Sequence, residues 1–250
     1  MVEGLLRQLV ERSAPRLSLP PAGGEEALPR RSLRAALQAS GVRVIAEVKH
    51  RSPSAGVLRQ PLDPRSLAQA YERGGAAALS VVTEPEFFGG STSWVRVARQ
   101  ATGLPVLQKD FFSRPEHVAY GVAAGADAIL LIARALPGAL LGEMLDCCRK
   151  AGVEALVETH SAAEVERAVA VGAELIGVNA RDLATFSVDV ERAADLVGSV
   201  PPPCLGVLES GIASRTQLLQ LVQRGISRFL VGEYLLRQAD PEAALRGLLA

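Results

Sequence analysis

The sequence contains very little lysine. Of its 27 lysine and arginine residues, only Lys49, Lys109 and Lys150 are lysines. A guanidinium stays protonated in proteins, whereas a lysine ammonium is tuned by burial and can give up a proton. Lys49 and Lys109 each end an apolar run typical of a β-strand, while Lys150 ends a helical pattern, where a cation suits the helix dipole. The first two lysines are therefore candidates for chemistry, with ordinary strand-end charges as the alternative.

Other features are also scarce or missing, and each excludes a class of protein. Cys147, Cys148 and Cys204 show no C-x-x-C spacing, so they favour neither a zinc site nor a disulfide framework and are typical of a reducing compartment. No apolar run approaches the roughly 20 residues that span a bilayer, and residues 1–15 lack a signal-peptide core. The net charge is zero, without a basic patch for nucleic acid. We expect a cytoplasmic protein that binds neither membrane nor nucleic acid.

From about residue 42 onward, short apolar runs alternate with longer segments of helical spacing. The predicted strands centre near Ile45, Ser80, Val106, Ile129, Leu156, Ile176, Gly206 and Leu230. Eight strand–helix units predict an α/β fold, a single (β/α)8 TIM barrel over residues 41–250. A doubly wound open sheet is the alternative, but it usually has fewer strands, and no G-x-G-x-x-G follows the first strand. Residues 1–40 are predicted to form a short N-terminal extension, partly helical and partly rich in Pro and Gly, that packs on the barrel.

Polar residues gather at the predicted carboxyl ends of the strands, where such barrels hold their active sites. Five strands deliver Glu47, Lys49, Lys109, Glu158, Asn179, Arg181 and Glu209 to this rim. Acids and amines in one cleft shift each other's pKa values and suit general acid–base catalysis. Asp110 is interpreted as a structural residue, and His160 as a solvated or capping histidine.

The loops after the seventh and eighth strands suggest a phosphate site. Ser210-Gly211 and Gly232-Glu233 offer backbone N–H groups at the corner where many barrels bind phosphate, and residues 233–237 are predicted to form a short helix there. The polar loop that begins at Ser52 is expected to close over the substrate.

Together these segments resemble indole-3-glycerol phosphate synthases, over roughly residues 31–237. The resemblance is carried by I-A-E-V-K-H-R-S-P-S-A-G from Ile45, V-T-E-P-E-F-F-G-G-S from Val82, P-V-L-Q-K-D-F from Pro105, G-A-D-A-I-L-L-I from Gly125, L-V-E-T-H from Leu156, G-V-N-A-R-D-L from Gly177 and E-S-G-I from Glu209. The first and third runs are specific to this family among phosphate-binding barrels. The chain departs from the family's usual residues at Gln108, Gly121, Ala180, Leu208 and Tyr234.

The resemblance implies a reaction of tryptophan biosynthesis. In it, 1-(2-carboxyphenylamino)-1-deoxyribulose 5-phosphate closes to indole-3-glycerol phosphate with loss of CO2 and water. By family position Lys109 would be the general acid of ring closure and Glu158 the general base of dehydration. Lys49 would hold the substrate carboxylate and serve as the second acid, with Glu47 positioning it.

The resemblance also implies the binding residues. Substrate would contact Ser52, Phe88, Phe111, Asn179, Arg181, Leu183, Glu209 and Ser210, and phosphate would contact Gly211, Gly232 and Glu233. Phe88, Phe111 and Leu183 would supply apolar walls for the aromatic ring. No metal or organic cofactor is expected, and the partner is a small phosphorylated molecule. We expect a monomer, with a weak homodimer as the alternative.

Two other functions remain open from the sequence. One is a different phosphate-binding barrel enzyme, such as a sugar-phosphate isomerase or an aldolase that forms a Schiff base on a strand-end lysine. The other is a catalytically silent barrel that serves as a subunit in the tryptophan pathway.

Overall fold

Eight parallel strands close into a barrel in a computed structural model, which describes residues 2–18, 28–182 and 185–250. The strands are β1 (Arg43–Val48), β2 (Ala78–Val82), β3 (Val106–Lys109), β4 (Ala128–Ile132), β5 (Glu154–Thr159), β6 (Leu175–Asn179), β7 (Leu205–Glu209) and β8 (Arg228–Val231). Each strand pairs with its neighbours along the chain, and β1 pairs with β8 to close the ring. The predicted (β/α)8 barrel is confirmed, and the open-sheet alternative is wrong.

Helices precede the barrel, connect its strands and follow the last strand. They are α1 (Val2–Leu17), α2 (Leu33–Gln38), α3 (Pro64–Arg73), α4 (Ser93–Ala101), α5 (Pro115–Ala124), α6 (Leu140–Ala151), α7 (Ala162–Ala170), α8 (Val190–Gly198), α9 (Arg215–Gln223), α10 (Glu233–Leu236) and α11 (Pro241–Leu249). Side chains of Asp63, Ser161 and Asp189 accept hydrogen bonds from the first turns of α3, α7 and α8. Gly125 ends α5 in the left-handed conformation at φ 88°, as expected of a glycine past a helix end.

The strands are buried because helices cover their outer faces while their own side chains fill the barrel. All five residues of β2, β4 and β6 are buried, which matches their near-continuous apolar sequence. Close packing also explains one departure from the family pattern. A Cβ on Gly121 of α5 would lie 2.7 Å from Ile129 Cγ2, so an acidic side chain would not fit there.

The N-terminal region contacts the barrel at both ends of its strands. Arg16 of α1 pairs with the buried Asp110 at 2.7 Å, directly after β3. Near α2, the backbone N–H of Arg31 donates to Asp127 Oδ1 at 2.8 Å, before β4. The division of the chain at residue 40 stays a prediction. Within the described residues, no helix is both long and apolar enough to cross a bilayer.

The loop after β1 folds back on itself. Residues Arg51–Ser52 and Gly56–Val57 pair as a two-stranded antiparallel hairpin, which brings Ser52, Pro53 and Ser54 to the rim of the barrel. The first strand–helix loop therefore borders the same end of the barrel as the strand-end lysines.

Candidate active site

A cavity of about 550 Å³ opens at the carboxyl ends of the strands. Of the residues proposed from sequence, it is lined by Glu47, Lys49, Ser52, Phe88, Lys109, Phe111, Glu158, Asn179, Arg181, Ser210, Gly211, Gly232 and Glu233. Glu209 lies just beneath the cavity, fully buried and bonded to Lys109. Leu183 lies outside the described residues. The structure thus brings every described candidate to one place, as the common direction of the strands requires.

Lys109 lies among three carboxylates. Its Nζ is 2.8 Å from Glu209 Oε2, 3.7 Å from Glu158 Oε2 and 3.8 Å from Glu47 Oε2. Burial by itself would lower the pKa of this amine, but the attraction of Glu209, Glu47 and Glu158 outweighs it and raises the pKa above the ordinary lysine value. Lys109 is therefore an ammonium at neutral pH.

Glu47 joins the two strand-end lysines. One of its carboxylate oxygens accepts a hydrogen bond from Lys49 Nζ, and the other faces Lys109. Burial would raise the pKa of Glu47, but the two ammonium groups lower it below the ordinary value. Because Glu47 and Lys49 are two residues apart, both point to the inside of the barrel.

Two glycines make room for the buried carboxylates. A Cβ on Gly177 of β6 would lie 2.0 Å from Glu209 Oε1, and one on Gly232 after β8 would lie 2.5 Å from Glu47 Oε1. Lys49, Lys109 and the three carboxylates around them, Glu47, Glu158 and Glu209, are called the lysine cluster below. Any side chain at position 177 or 232 would displace one of these carboxylates. Gly232 was predicted to bind phosphate through its backbone, and the structure shows that it must also lack a side chain. In the sequence this requirement is indicated only by a glycine at the end of a buried strand.

Glu209 has a different electrostatic environment from Glu47. It is fully buried, and its Oε1 has no hydrogen-bond partner. Burial raises the pKa of Glu209 to about 7, because the pairing with Lys109 only partly offsets burial and the charge of Glu158 works against ionisation. The group of Lys49, Lys109, Glu47, Glu158 and Glu209 therefore includes one carboxyl whose protonated form is favoured by burial.

One wall of the cavity is apolar. The rings of Phe88 and Phe111 lie 6.2 Å apart, centroid to centroid, with 38° between their planes. Leu5 and Leu9 of α1 line the same cavity, and they were absent from the residues proposed from sequence. Their spacing of four places them on one face of a helix, which was the available signal. This wall is suited to a flat aromatic group.

One corner of the cavity carries backbone turns and cations. Ser210 and Gly211 follow β7 with positive φ angles of 67° and 83°. Arg181 and Arg237 both pair with Glu233, at 3.4 and 3.0 Å, so the carboxylate of Glu233 holds two cations beside these turns. The predicted short helix is confirmed as α10 (Glu233–Leu236), although Arg237 lies just past its end. An arginine pair at a loop corner is suited to a phosphate group.

The expectation that His160 is solvated is wrong, and Ser161 rather than His160 caps the first turn of α7. The His160 side chain is only 2% exposed, and it lies behind Glu158 rather than in the cavity. The reason is that Arg192 of α8 and Glu164 of α7 hold its backbone against the barrel.

Fold and site together define an enzyme of the (β/α)8-barrel class, with an acid–base cluster at the carboxyl ends of the strands and a cationic corner beside it. Comparison with protein families narrows this class. The model of the family described as Indole-3-glycerol phosphate synthase matches residues 9–248. The chain belongs to this family. It is therefore a carboxy-lyase of tryptophan biosynthesis, as predicted, and acts on a phosphorylated small molecule.

Individual relatives agree with the family match. The chain is 46% identical over 225 residues to an indole-3-glycerol phosphate synthase of Syntrophobacter fumaroxidans, covering 89% of this chain and 85% of that protein. It is 42% identical over 250 residues to the one of Mycobacterium bovis, covering 100% and 92%.

Solved structures that resemble the chain share its fold alone. A thiamine phosphate pyrophosphorylase of Pyrococcus furiosus superposes with a TM-score of 0.62 at 16% identity, over 87% of this chain and 96% of that one. An N-acetylmannosamine-6-phosphate 2-epimerase of Clostridium perfringens gives 0.63 at 15%, over 84% and 93%.

Proposed function

We propose that the lysine cluster performs ring closure, decarboxylation and dehydration of 1-(2-carboxyphenylamino)-1-deoxyribulose 5-phosphate by general acid–base catalysis. The observation that carries this assignment is the meeting of Lys109 and Glu158, 3.7 Å apart, at the border of an open cavity. An acid and a base at that separation reach neighbouring atoms of one substrate.

Lys109 is the acid of the first step. The ring carbon that bears the carboxylate attacks the ketose carbonyl carbon, and the carbonyl oxygen takes a proton from Lys109 Nζ to become a hydroxyl. The carboxylates that raise the pKa of Lys109 keep it protonated before reaction. The developing alkoxide is a still stronger base, so the transfer remains favourable. Loss of CO2 then returns its electron pair to the ring.

Lys49 and Glu158 act in the second step. Lys49 first holds the substrate carboxylate and then protonates the hydroxyl, which leaves as water. Glu158 removes a proton from the new five-membered ring, and aromatisation of the indole drives the step. Two protons are donated and one is taken up, which balances the conversion of a carboxylate into CO2. Glu47 supports this role, since it is hydrogen-bonded to Lys49.

The remaining residues orient the substrate. We assign the anthranilate ring to the wall of Phe88 and Phe111, and the phosphate to Gly211, Gly232 and the N–H of Glu233. The cationic pair at this corner, Arg181 with Arg237, supports the phosphate assignment. Tyr234 also lines this corner, where the family usually has a small residue.

We also infer that the protein works in the cytoplasm as a monomer. Its three cysteines are free thiols, which suits a reducing compartment. In the described part of the chain, the large exposed apolar side chains are Val57, Val188 and Leu219, too few to form a broad apolar interface. Gel filtration with light scattering at micromolar concentration tests this, and a stable dimer would contradict it.

The direct test is a fluorescence assay of indole-3-glycerol phosphate formation by the purified protein and a Glu158→Gln variant. We expect turnover in the intact protein and a loss of roughly 10²–10⁴ in the variant, with substrate binding retained. No turnover in the intact protein would favour a catalytically silent subunit. Full turnover in the variant would remove Glu158 from the role of base.

A further inference from the structure

His160 is a buried imidazole between two carboxylates. Its Nε2 lies 3.6 Å from Glu158 Oε1, and its Nδ1 lies 3.7 Å from Glu164 Oε2. Neither ring nitrogen has a hydrogen-bond partner at these separations, although both are shielded from solvent. Buried polar atoms rarely remain unpaired. A small side-chain movement would bring the two ring nitrogens within hydrogen-bond distance of Glu158 and Glu164.

The backbone on either side fixes where this ring lies. The N–H of His160 donates to Glu164 Oε2 at 2.7 Å, and its carbonyl accepts a hydrogen bond from Arg192. The strand alternation of β5 places the His160 side chain on the same side as Glu158, with the outward-facing Thr159 between them bonded to the Gly177 carbonyl. His160 therefore has little freedom to turn away from Glu158.

The two oxygens of Glu158 face different neighbours. Oε2 faces Lys109 at the cavity, and Oε1 faces His160 behind it. An ionised carboxylate only accepts hydrogen bonds, so a ring nitrogen of His160 bonds to either neighbour only as a donor. Glu164 is a charged acceptor on the other side of the ring: burial raises its pKa, but His160 and Arg134 outweigh burial and hold the pKa below the ordinary value.

We propose that His160 is a positioning residue for Glu158. Its Nε2–H donates to Glu158 Oε1 when substrate closes the site, and this bond holds Glu158 Oε2 toward the ring proton that it removes. Catalytic hydrogen bonds that are long in the free enzyme commonly shorten in the substrate complex. The inference rests on the proposed role of Glu158 as base. It adds a histidine that contacts neither substrate nor cavity.

Two variants separate this role from a structural one. In His160→Gln the side-chain amide nitrogen takes the place of Nε2 and can donate to Glu158, whereas in His160→Asn it takes the place of Nδ1 and faces Glu164. We expect kcat to fall about tenfold in His160→Asn, less than loss of the base itself would cause, with KM unchanged. His160→Gln should keep most of the wild-type kcat. Circular dichroism and thermal unfolding establish that both variants are folded.

A double-mutant cycle with Glu158→Gln distinguishes failure of this inference from failure of the proposed function. If Glu158→Gln loses turnover, adding His160→Asn should cause no further loss, because the histidine acts through the carboxylate. Equal kcat values in the Gln and Asn variants, or additive losses in the double variant, would overturn the positioning role alone. Full turnover in Glu158→Gln would instead overturn the base assignment.

A third variant keeps the test decisive if either histidine variant does not fold. Glu164→Gln retains the shape of the residue behind the ring but removes its charge. We expect a severalfold fall in kcat at unchanged KM, since Nδ1 loses the charged acceptor on its side and the ring is held less firmly toward Glu158. A wild-type kcat in this folded variant would contradict the proposal.

Discussion

Replacing Lys109 with methionine would remove the one positive charge that faces Glu209, Glu158 and Glu47 together. Methionine keeps much of the length and apolar stem of lysine, so little packing is lost. Removing one partner from a buried ion pair costs about 3–5 kcal/mol, because the opposite charge is left uncompensated. We expect a destabilisation of that order at neutral pH, together with loss of turnover.

The pH dependence of this destabilisation follows from the buried carboxyls. Burial already raises the pKa of Glu209 from 4.5 to about 7 in the intact protein. A carboxyl whose pKa is higher in the folded state binds its proton more tightly there, so its effect on stability improves as pH falls from about 7 toward 4.5. Without Lys109 the pKa of Glu209 rises further, and the pKa of Glu47 loses one of the two positive charges that lower it. The deficit of Lys109→Met relative to the intact protein should therefore shrink between about pH 7.5 and 5.5.

Lys109→Arg is the matched variant for the chemistry. Arginine preserves the charge among the carboxylates but does not readily give up its proton. We expect stability close to that of the intact protein and a turnover lower by roughly 10²–10⁴. Urea unfolding at the two pH values and the fluorescence assay of product formation measure the two effects separately. Near-normal turnover in Lys109→Arg, or a pH-independent deficit in Lys109→Met, would refute the reasoning.

Two further predictions concern space and docking. Gly232→Ala places a Cβ 2.5 Å from Glu47 Oε1 and should lower kcat about 10²-fold by displacing that carboxylate. Gly247→Ala is the control, because a Cβ there would have nothing within 4 Å, and it should leave kcat unchanged. Equal kcat values in the two variants would contradict the steric argument. Arg16→Gln removes the ion-pair partner of the buried Asp110 and should lower the free energy of urea unfolding by about 1–3 kcal/mol. An unchanged value would mean that this ion pair does not stabilise the docking of α1 on the barrel.

The barrel was predictable because its signals are local. Alternation of apolar runs with amphipathic segments depends on neighbours a few residues apart, and all eight predicted strand centres lie in barrel strands. The position of the active site at one rim was also predictable, because all the parallel strands of a barrel have their carboxyl ends on the same side. The lysines and carboxylates at those ends therefore had to meet, although their distances could not be read from the chain.

Other parts of the site depend on contacts between distant segments. Leu5 and Leu9 were not predicted, because nothing local in the sequence shows that α1 lies over the aromatic wall. His160 was interpreted as a solvated or capping residue, because a histidine in a loop carries no sign of the helices that bury it. The steric role of Gly177 was equally hidden, since Glu209 approaches it from another strand.

The sequence by itself determined the order of the strands, the identity of the groups at their ends and the family to which they belong, because these depend on residue type and spacing. Only the tertiary structure decided the electrostatics. Lys109 is held as an ammonium while Glu209 is left with a pKa of about 7, although both are buried in one cluster. That difference in pKa arises from the number of opposite charges around each group and from their distances. Only the closed barrel fixes these distances. The lysine at the end of the third strand and the carboxylates at the ends of its neighbours were visible in the chain, but the distances between them, which set the charge state of Lys109, were not.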